Sequence, residues 1–155
     1  MNKIIRKIQY SEKVYRFDVE APLIAKSRKA GNFVIIRVDA NSERMPLTIA
    51  DADIEKGTIT LVVQKVGLSS TKLCNLNEGD EIHDVVGPLG NPTHIENFGT
   101  VLCAGGGVGV APMLPIIKAL KAAGNRVLSV IAGRSKDLVI MEDEVRASSD
   151  ELIIM

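Results

Sequence analysis

The stretch Leu102–Pro112, "LCAGGGVGVAP", decides the architecture of the second half of the chain. Four of the five residues from position 105 to position 109 are glycines, apolar residues precede them, and a proline closes the stretch. Glycine loses more backbone entropy on ordering than any other residue. A phosphate explains the cluster, because a bare backbone lets it reach the unpaired N–H groups that begin a helix. A tight strand-to-helix turn without a ligand is the alternative.

The segments on either side supply the strand and the helix that this interpretation needs. "GTVLCAG" is a continuous apolar run, typical of a strand buried on both faces. Apolar residues then recur at helical spacing from Gly109 to Ala123, and Gly124 and Asn125 end that helix. "RVLSVIAG" predicts a second strand, "DLVIMEDEVRAS" a second helix and "ELIIM" a third strand. The order is β-α-β-α-β, the first mononucleotide-binding half of a doubly wound parallel sheet.

The glycine stretch departs from the G-x-G-x-x-G pattern of many dinucleotide-binding proteins. No frame through Gly105–Gly109 has a third glycine three residues further on. Arg134 and Ser135 stand after the second predicted strand, where a carboxylate that binds the ribose is expected. We therefore expect nucleotide binding from the order of strand, glycines and helix, and not from the fingerprint itself.

The pattern of apolar and polar residues over about the first ninety positions predicts a β-rich domain. Six short runs with strand-like patterning, separated by turns, predict a small antiparallel barrel or sandwich. "GLSS" leads into a short predicted helix, "TKLCNL", and "GPLG" makes a turn before the pattern changes. The predicted domains are an antiparallel barrel over residues 1–96 and an incomplete doubly wound α/β domain over residues 97–155.

Composition excludes several classes of protein. The 155 residues contain 19 basic and 19 acidic side chains, so net charge gives no support to a nucleic-acid partner. No apolar run is long enough to predict a membrane span. The two cysteines, Cys74 and Cys103, form neither a disulfide framework nor a metal-binding pattern, so we expect no metal site and a cytoplasmic protein.

Four motifs in the chain follow one another in a familiar order. "RMPLT", "VGLSST", "GPLG" and "AGGGVGVAP" have the order and spacing found in the ferredoxin–NADP reductase superfamily, and the resemblance covers essentially the whole chain. Within the superfamily, the chain resembles the small flavoprotein subunits of electron-transferring complexes. These include the subunits of dihydroorotate dehydrogenase, sulfide dehydrogenase and NADH-dependent ferredoxin–NADP reductase.

The resemblance implies a barrel that binds FAD. The arginine of the first motif binds flavin phosphate in the family, and the residues after it line the flavin ring, with Thr48 near flavin N5. The next strand, Val62–Gly67, would run beside the ribityl chain, and the hydroxyl-rich turn would meet the pyrophosphate, which favours FAD over FMN. The residues so assigned are Arg44, Pro46, Leu47, Thr48, Val63, Val66, Gly67, Ser69, Ser70 and Thr71.

The resemblance also implies that the glycine stretch binds NADH or NADPH. Arg134 and Ser135 would lie near the adenosine ribose, where Arg134 could favour a 2′-phosphate, and the choice between NAD and NADP stays open. The other residues assigned to the nucleotide are Gly105, Gly106, Gly107, Gly109, Ala111 and Pro112.

The implied activity is that of an FAD-dependent NAD(P)H oxidoreductase. Hydride would pass from NAD(P)H to FAD, and electrons would leave to an iron–sulfur or flavoprotein partner subunit or to a ferredoxin. No side chain would act as an acid or base. The alternative is a flavin- or nucleotide-binding module without turnover, such as a sensor or an assembly subunit, and a structural domain without a cofactor is a third possibility.

Members of the family continue further than this chain does. We therefore expect a fragment, inactive alone, whose missing C-terminal part would carry the four cysteines of a [2Fe–2S] cluster. An incomplete sheet would also leave one apolar face uncovered, through which the fragment could dimerise.

Overall fold

Antiparallel strands dominate the first half of the computed structural model, which describes residues 2–155. The chain divides into two compact units, and the first ends at Pro92. The elements of the first unit are β1 Asn2–Gln9, β2 Val14–Glu20, α1 Pro22–Ser27, β3 Phe33–Arg37, β4 Met45–Thr48, β5 Asp51–Asp53, β6 Thr58–Gln64, α2 Leu68–Cys74, β7 Glu81–Ile82 and β8 Asp84–Leu89.

Two antiparallel sheets form a barrel-like domain in this unit. One has five strands in the order β5-β6-β2-β1-β7, and the other has three in the order β4-β3-β8. Between residues 2 and 92 no hydrogen-bonded strand ladder joins the two sheets, so the barrel is not closed by hydrogen bonds. The predicted antiparallel domain is confirmed in this form.

Alternating side chains build the core of this unit. Phe17 and Val19 in β2 are fully buried, as are Val34 and Ile36 in β3, while the residues between them are less buried. This period of two is the pattern of a strand that buries one face. All six residues from Thr58 to Val63 in β6 are buried, so this strand is covered on both faces.

The structure corrects the prediction of six strands in this half. The described residues form eight strands there, because "RMPLTIADAD" divides into β4 and β5 and "EIHDVVGPLG" into β7 and β8. Helix α1 was missed, since it has only six residues and follows directly after a strand. Pro22 begins it, a position where proline costs no hydrogen bond, and Ile24 and Ala25 are buried.

The second unit begins at Thr93 and has the predicted β-α-β-α-β order. Its elements are β9 Thr100–Gly106, α3 Val110–Ala122, β10 Arg126–Ala132, α4 Glu142–Ala147 and β11 Glu151–Ile154. The three strands are parallel in the order β11-β10-β9. One face of the sheet is buried at Val127, Ser129 and Ile131, whereas Leu102 and Ile153 are 68% and 59% exposed.

Two predicted helices have different limits from those expected. Helix α4 covers only the second half of "DLVIMEDEVRAS", because Ile140 and Met141 are buried before it begins and Met141 has a φ of +56°. Helix α2 begins at Leu68, three residues earlier than predicted. Consequently Ser69, Ser70 and Thr71 lie inside the helix and not in a turn that precedes it.

A buried asparagine fixes the chain where it enters the second unit. Asn125 is 2% exposed and lies between the end of α3 and the start of β10. Its amide nitrogen donates to the carbonyl oxygens of Glu96 and Leu120, both at 2.9 Å, and its oxygen accepts from the Phe98 N–H at 2.7 Å. The segment before β9 is therefore tied to the end of α3.

Candidate functional site

A cleft of about 380 Å³ lies in the first unit, between the start of β4 and the segment that joins β6 to α2. Its lining residues are Glu43, Met45, Pro46, Leu47, Val63, Gln64, Val66, Gly67, Leu68, Ser69 and Ser70. Seven of them were predicted as flavin-binding residues: Pro46, Leu47, Val63, Val66, Gly67, Ser69 and Ser70. Sequence reasoning missed Glu43, Met45, Gln64 and Leu68, although each adjoins a predicted residue in the chain.

The walls of the cleft are largely apolar. Met45 and Leu47 on β4 are partly buried and pack against the core, where β4 pairs with β3. Val66 and Leu68 are 77% and 76% exposed. Exposed apolar side chains beside a concave surface are typical of ligand sites, where a bound molecule would remove them from water.

The start of α2 is capped by the side chain of Ser70 and is open in front of Gly67. Gly67 precedes the helix, and a Cβ built there would meet nothing within 4 Å. The Ser70 hydroxyl accepts from the N–H groups of Val66 and Gly67, both at 2.9 Å, and donates to the Gly67 carbonyl at 3.1 Å. The predicted phosphate-binding hydroxyl of Ser70 is thus used for helix capping, and the less buried Ser69 lines the cleft beside it.

Three of the predicted residues do not line this cleft. Arg44 directly precedes β4 and is exposed, and no carboxylate among residues 2–155 forms an ion pair with it. Thr48 ends β4 opposite Phe33. Thr71 lies in α2, where its N–H donates to the Gly67 carbonyl at 2.9 Å. The structure therefore brings together the predicted apolar and glycine residues but places Arg44, Thr48 and Thr71 outside the cleft lining.

The glycine stretch in the second unit serves two structural purposes. Gly105 and Gly106 end β9, and residues 107–109 form a single 3-10 turn before α3. A Cβ on Gly105 would lie 3.2 Å from Met113 Sδ and 3.4 Å from the Gly109 carbonyl oxygen. Gly105 therefore lets α3 pack closely on the sheet, a role that the sequence did not distinguish from ligand binding.

The next glycines face open space. A Cβ on Gly107 or on Gly109 would meet nothing within 4 Å. Gly107 has a φ of +55°, in the region that favours glycine, whereas Gly109 has a helical φ of −62°. Ala111 is buried and Pro112 half-buried in the first turn of α3. Bare backbone is thus available at 107–109, where the helix begins.

Arg134 and Ser135 are exposed in the loop that leaves the carboxyl end of β10. Because Ala132 pairs in register with Gly106, this loop and the glycine turn start from the same edge of the sheet. A hydrogen bond from the Ser135 hydroxyl lowers the pKa of the Asp137 carboxyl below its ordinary value. Ligands of open parallel sheets bind at this edge, beyond the carboxyl ends of the strands.

The cysteines give no sign of a reactive or metal-binding site. Cys74 and Cys103 are both free thiols, and burial raises the pKa of each. Between residues 2 and 155 no group of three His, Cys, Asp or Glu side chains could hold a metal ion. Over the same residues no helix is both long enough and apolar enough to span a membrane.

Comparison with known proteins gave no matching family model. A Thermotoga maritima protein named as a homologue of the electron transfer subunit of dihydroorotate dehydrogenase B (NAD⁺) is 47% identical over 154 residues, which cover 99% of this chain and 55% of the relative. The structure of an NADH-dependent reduced ferredoxin–NADP oxidoreductase, described for flavin-based electron bifurcation, matches with a TM-score of 0.96 and 44% identity.

That match covers 99% of this chain and 56% of the solved chain. Phthalate dioxygenase reductase has the same fold, with a TM-score of 0.77 and 21% identity over 99% of this chain and 50% of its own. The chain thus spans about half the length of the curated relatives and solved chains it matches.

Proposed function

We propose that this chain, which has the fold of ferredoxin–NADP reductases and is a homologue of dihydroorotate dehydrogenase electron-transfer subunits, binds FAD and NAD(P)H for electron transfer. The observation that carries the proposal is the cleft of the first unit. Seven residues assigned to the flavin from their sequence motifs come together there around a volume suited to part of a cofactor.

The residues of the cleft fit the two chemical parts of FAD. The apolar side chains of Met45, Leu47 and Val66 would cover a flat ring. The open backbone at Gly67 and the hydroxyl of Ser69 would meet a diphosphate, and Arg44, directly before β4, would reach it from outside the cleft lining. When bound, FAD supplies the exchange between hydride transfer and single-electron transfer, so the chain provides only binding and orientation.

The second unit would bind the pyridine nucleotide. The diphosphate would lie against the backbone of residues 107–109, where no Cβ obstructs its approach to the start of α3. Arg134 and Ser135, which leave the same edge of the sheet, would lie beside the adenosine ribose. These assignments leave both NADH and NADPH as candidates.

The proposed partner follows from the electron-transfer role in the relative's name, and the proposed compartment follows from the cysteines. In the proposal the electrons pass to an iron–sulfur or flavoprotein subunit or to a ferredoxin, as expected for an electron-transfer subunit. The two free thiols agree with the cytoplasm as its compartment.

An absorption spectrum of the purified 155-residue chain, titrated with FAD and then with NADH or NADPH, tests the proposal. We expect one flavin per chain and binding of one of the two nucleotides without bleaching of the flavin band, because the sequence predicts that these 155 residues are inactive alone. Bleaching by either nucleotide would contradict that prediction, and a yellow protein that binds neither nucleotide would favour the alternative, a flavin-binding module without turnover. A chain that binds no FAD at micromolar concentration would contradict the proposal.

A further inference from the structure

The two walls of the cleft are joined by a small polar cluster at one side. The segment from Asp39 to Ser42 leads directly into Glu43 and Met45, which line one wall. Lys72 lies in α2, one turn after Leu68 and Ser69, which line the other wall. The Lys72 ammonium is 3.5 Å from Asp39 Oδ2 and 3.4 Å from Ser42 Oγ.

The segment that Lys72 contacts is held in a defined conformation. Asp39 Oδ1 accepts from the Ser42 hydroxyl at 2.8 Å and from the Asn41 N–H at 2.9 Å. These two hydrogen bonds, with a smaller contribution from Lys72, lower the pKa of the Asp39 carboxyl below its ordinary value. The carboxylate is therefore charged at neutral pH, and it presents its second oxygen to Lys72.

We propose that Lys72 is a positioning residue that fastens one wall of the cleft to the other and so slows the release of the bound flavin. The inference rests on the proposed function, because it takes FAD as the occupant of the cleft. Movement of the segment before β4 away from α2 would separate the two walls and so loosen a ligand held between them. The contact of Lys72 with Asp39 and Ser42 opposes that movement without itself touching the ligand.

The expected effect is small and depends on salt. The Lys72 and Asp39 side chains are 38% and 50% exposed, and exposed pairs of this kind change an equilibrium only about two- to fivefold. Molar salt screens charges over about 3 Å. The effect of the Lys72–Asp39 pair on flavin release should therefore be largest at low ionic strength and disappear at high ionic strength. An effect caused by lost packing would not depend on salt in this way.

The first test needs no ligand. Amide hydrogen exchange of the ligand-free chain should become faster over residues 40–45 in Lys72→Met, and return to the original rate in Lys72→Arg. Lys121→Met is the matched control, since Lys121 forms a similar surface pair with Asp150 at 2.6 Å in the second unit. Unchanged exchange over residues 40–45 in Lys72→Met would show that Lys72 does not fasten the walls.

The second test measures FAD release by stopped flow after dilution or trapping. At low salt, Lys72→Met should release FAD about two- to fivefold faster than the original chain. Lys72→Arg and Lys121→Met should release it at the original rate. In 1 M salt, the release rates of Lys72→Met and the original chain should be equal. Faster exchange with unchanged FAD release would overturn the proposal that this contact controls the cleft. An original chain that binds no FAD contradicts the proposed function instead, while the exchange experiment still decides whether Lys72 joins the walls.

Discussion

Gly106 and Ala132 lie opposite each other at the carboxyl ends of two neighbouring parallel strands, β9 and β10. The chain leaves Gly106 into the glycine turn and leaves Ala132 into the loop of Arg134 and Ser135. Two segments whose starting points are 26 residues apart in the sequence thereby leave from one edge of one sheet. This register is the reason that a single nucleotide could touch both.

Gly133, which begins the second of these loops, should tolerate no side chain. A Cβ there would lie 3.0 Å from the Leu138 carbonyl carbon and 3.0 Å from the Ser135 oxygen, both backbone atoms that cannot rotate away. We expect Gly133→Ala to lower the free energy of unfolding by about 1–3 kcal/mol, the range for overpacking. Urea denaturation of the variant and the original chain measures the difference in the free energy of unfolding.

Gly106→Ala is the control for that substitution, because its nearest contacts would be at 3.7 Å and 3.9 Å, an ordinary van der Waals separation. It should change the midpoint much less than Gly133→Ala. Equal effects of the two substitutions would show that the crowding at Gly133 does not determine the stability of the loop.

Asn125→Ala should destabilise the second unit. The substitution leaves the Phe98 N–H and the Glu96 carbonyl without the side chain that now binds them, while the Leu120 carbonyl keeps the backbone N–H of residue 125 at 3.2 Å. Removing one side of a buried hydrogen-bond network costs about 1–3 kcal/mol. Thermal unfolding followed by circular dichroism measures the loss, and Asn91→Ala, at an exposed position before the second unit, should leave the midpoint unchanged.

The Asp150 carboxylate should make stability fall in acid. Its hydrogen bonds from Lys121 Nζ at 2.6 Å and from the Val127 N–H at 2.7 Å lower its pKa below the ordinary value of 3.8. The unfolded chain therefore takes up a proton more readily than the folded chain, so the stabilisation is complete above pH 3.8 and is lost as the pH falls through the lowered pKa.

Asp150→Asn removes this titration. We expect the variant to show a shallower fall in unfolding midpoint below pH 4 than the original chain, with Glu151→Gln, at the neighbouring exposed position, as the control. A variant whose acid sensitivity equals that of the original chain would assign the effect to other carboxylates.

The β-α-β-α-β order was predictable because each element of the second unit has a clear local signal. The strands, the glycines and the helical spacing after Gly109 agree with the structure. The expectation that "GTVLCAG" is buried on both faces is wrong, because no residue of β9 is buried and Leu102 is 68% exposed. The limits of α4 were not predictable, since Ile140 and Met141 have helical propensity but are buried in tertiary contacts outside the helix. A local sequence pattern reports helix propensity, and tertiary packing overrides that propensity where apolar side chains are buried in the core.

The sequence identified most of the residues that line the cleft but not how each is used. Ser69 and Ser70 look alike in the sequence, yet only the structure shows that the Ser70 hydroxyl caps the helix. Gly105 and Gly107 are likewise equivalent as letters, although the first allows packing against Met113 and the second adopts a positive φ. Such distinctions depend on contacts between segments, which no local pattern contains.

Arg44→Ala tests whether the exposed arginine before β4 contributes to flavin binding. A charge-assisted contact with phosphate contributes about 1.5–3 kcal/mol, so FAD should bind at least about tenfold more weakly to the variant in a calorimetric titration. Arg28→Ala, at a half-buried position directly after α1, is the control and should bind FAD as the original chain does. Equal affinities of Arg44→Ala and the original chain would remove Arg44 from the proposed site.

Gly67→Ala and Gly109→Ala together test the two proposed sites, each serving as the control for the other. Both glycines have a φ that alanine can adopt, −155° and −62°, and at both a new Cβ would meet nothing within 4 Å. Neither substitution should therefore alter the fold, and the free energy of unfolding should stay within about 0.5 kcal/mol of that of the original chain. A change in the affinity for FAD or for the nucleotide would then show that the ligand occupies the open space next to the substituted glycine.

We expect a crossed result when both variants are titrated with FAD and with NADH or NADPH. Gly67→Ala should weaken FAD binding about tenfold, a loss of about 1.4 kcal/mol, and leave nucleotide affinity unchanged, because its methyl group would stand where the flavin diphosphate approaches α2. Gly109→Ala should leave FAD affinity unchanged and weaken nucleotide binding to a similar degree, because its methyl group would stand in front of α3. Gly107→Ala is less informative, since its φ of +55° would add backbone strain to any steric effect. If Gly109→Ala binds the nucleotide as tightly as the original chain, the glycine turn is a tight connection between β9 and α3 and the nucleotide binds elsewhere.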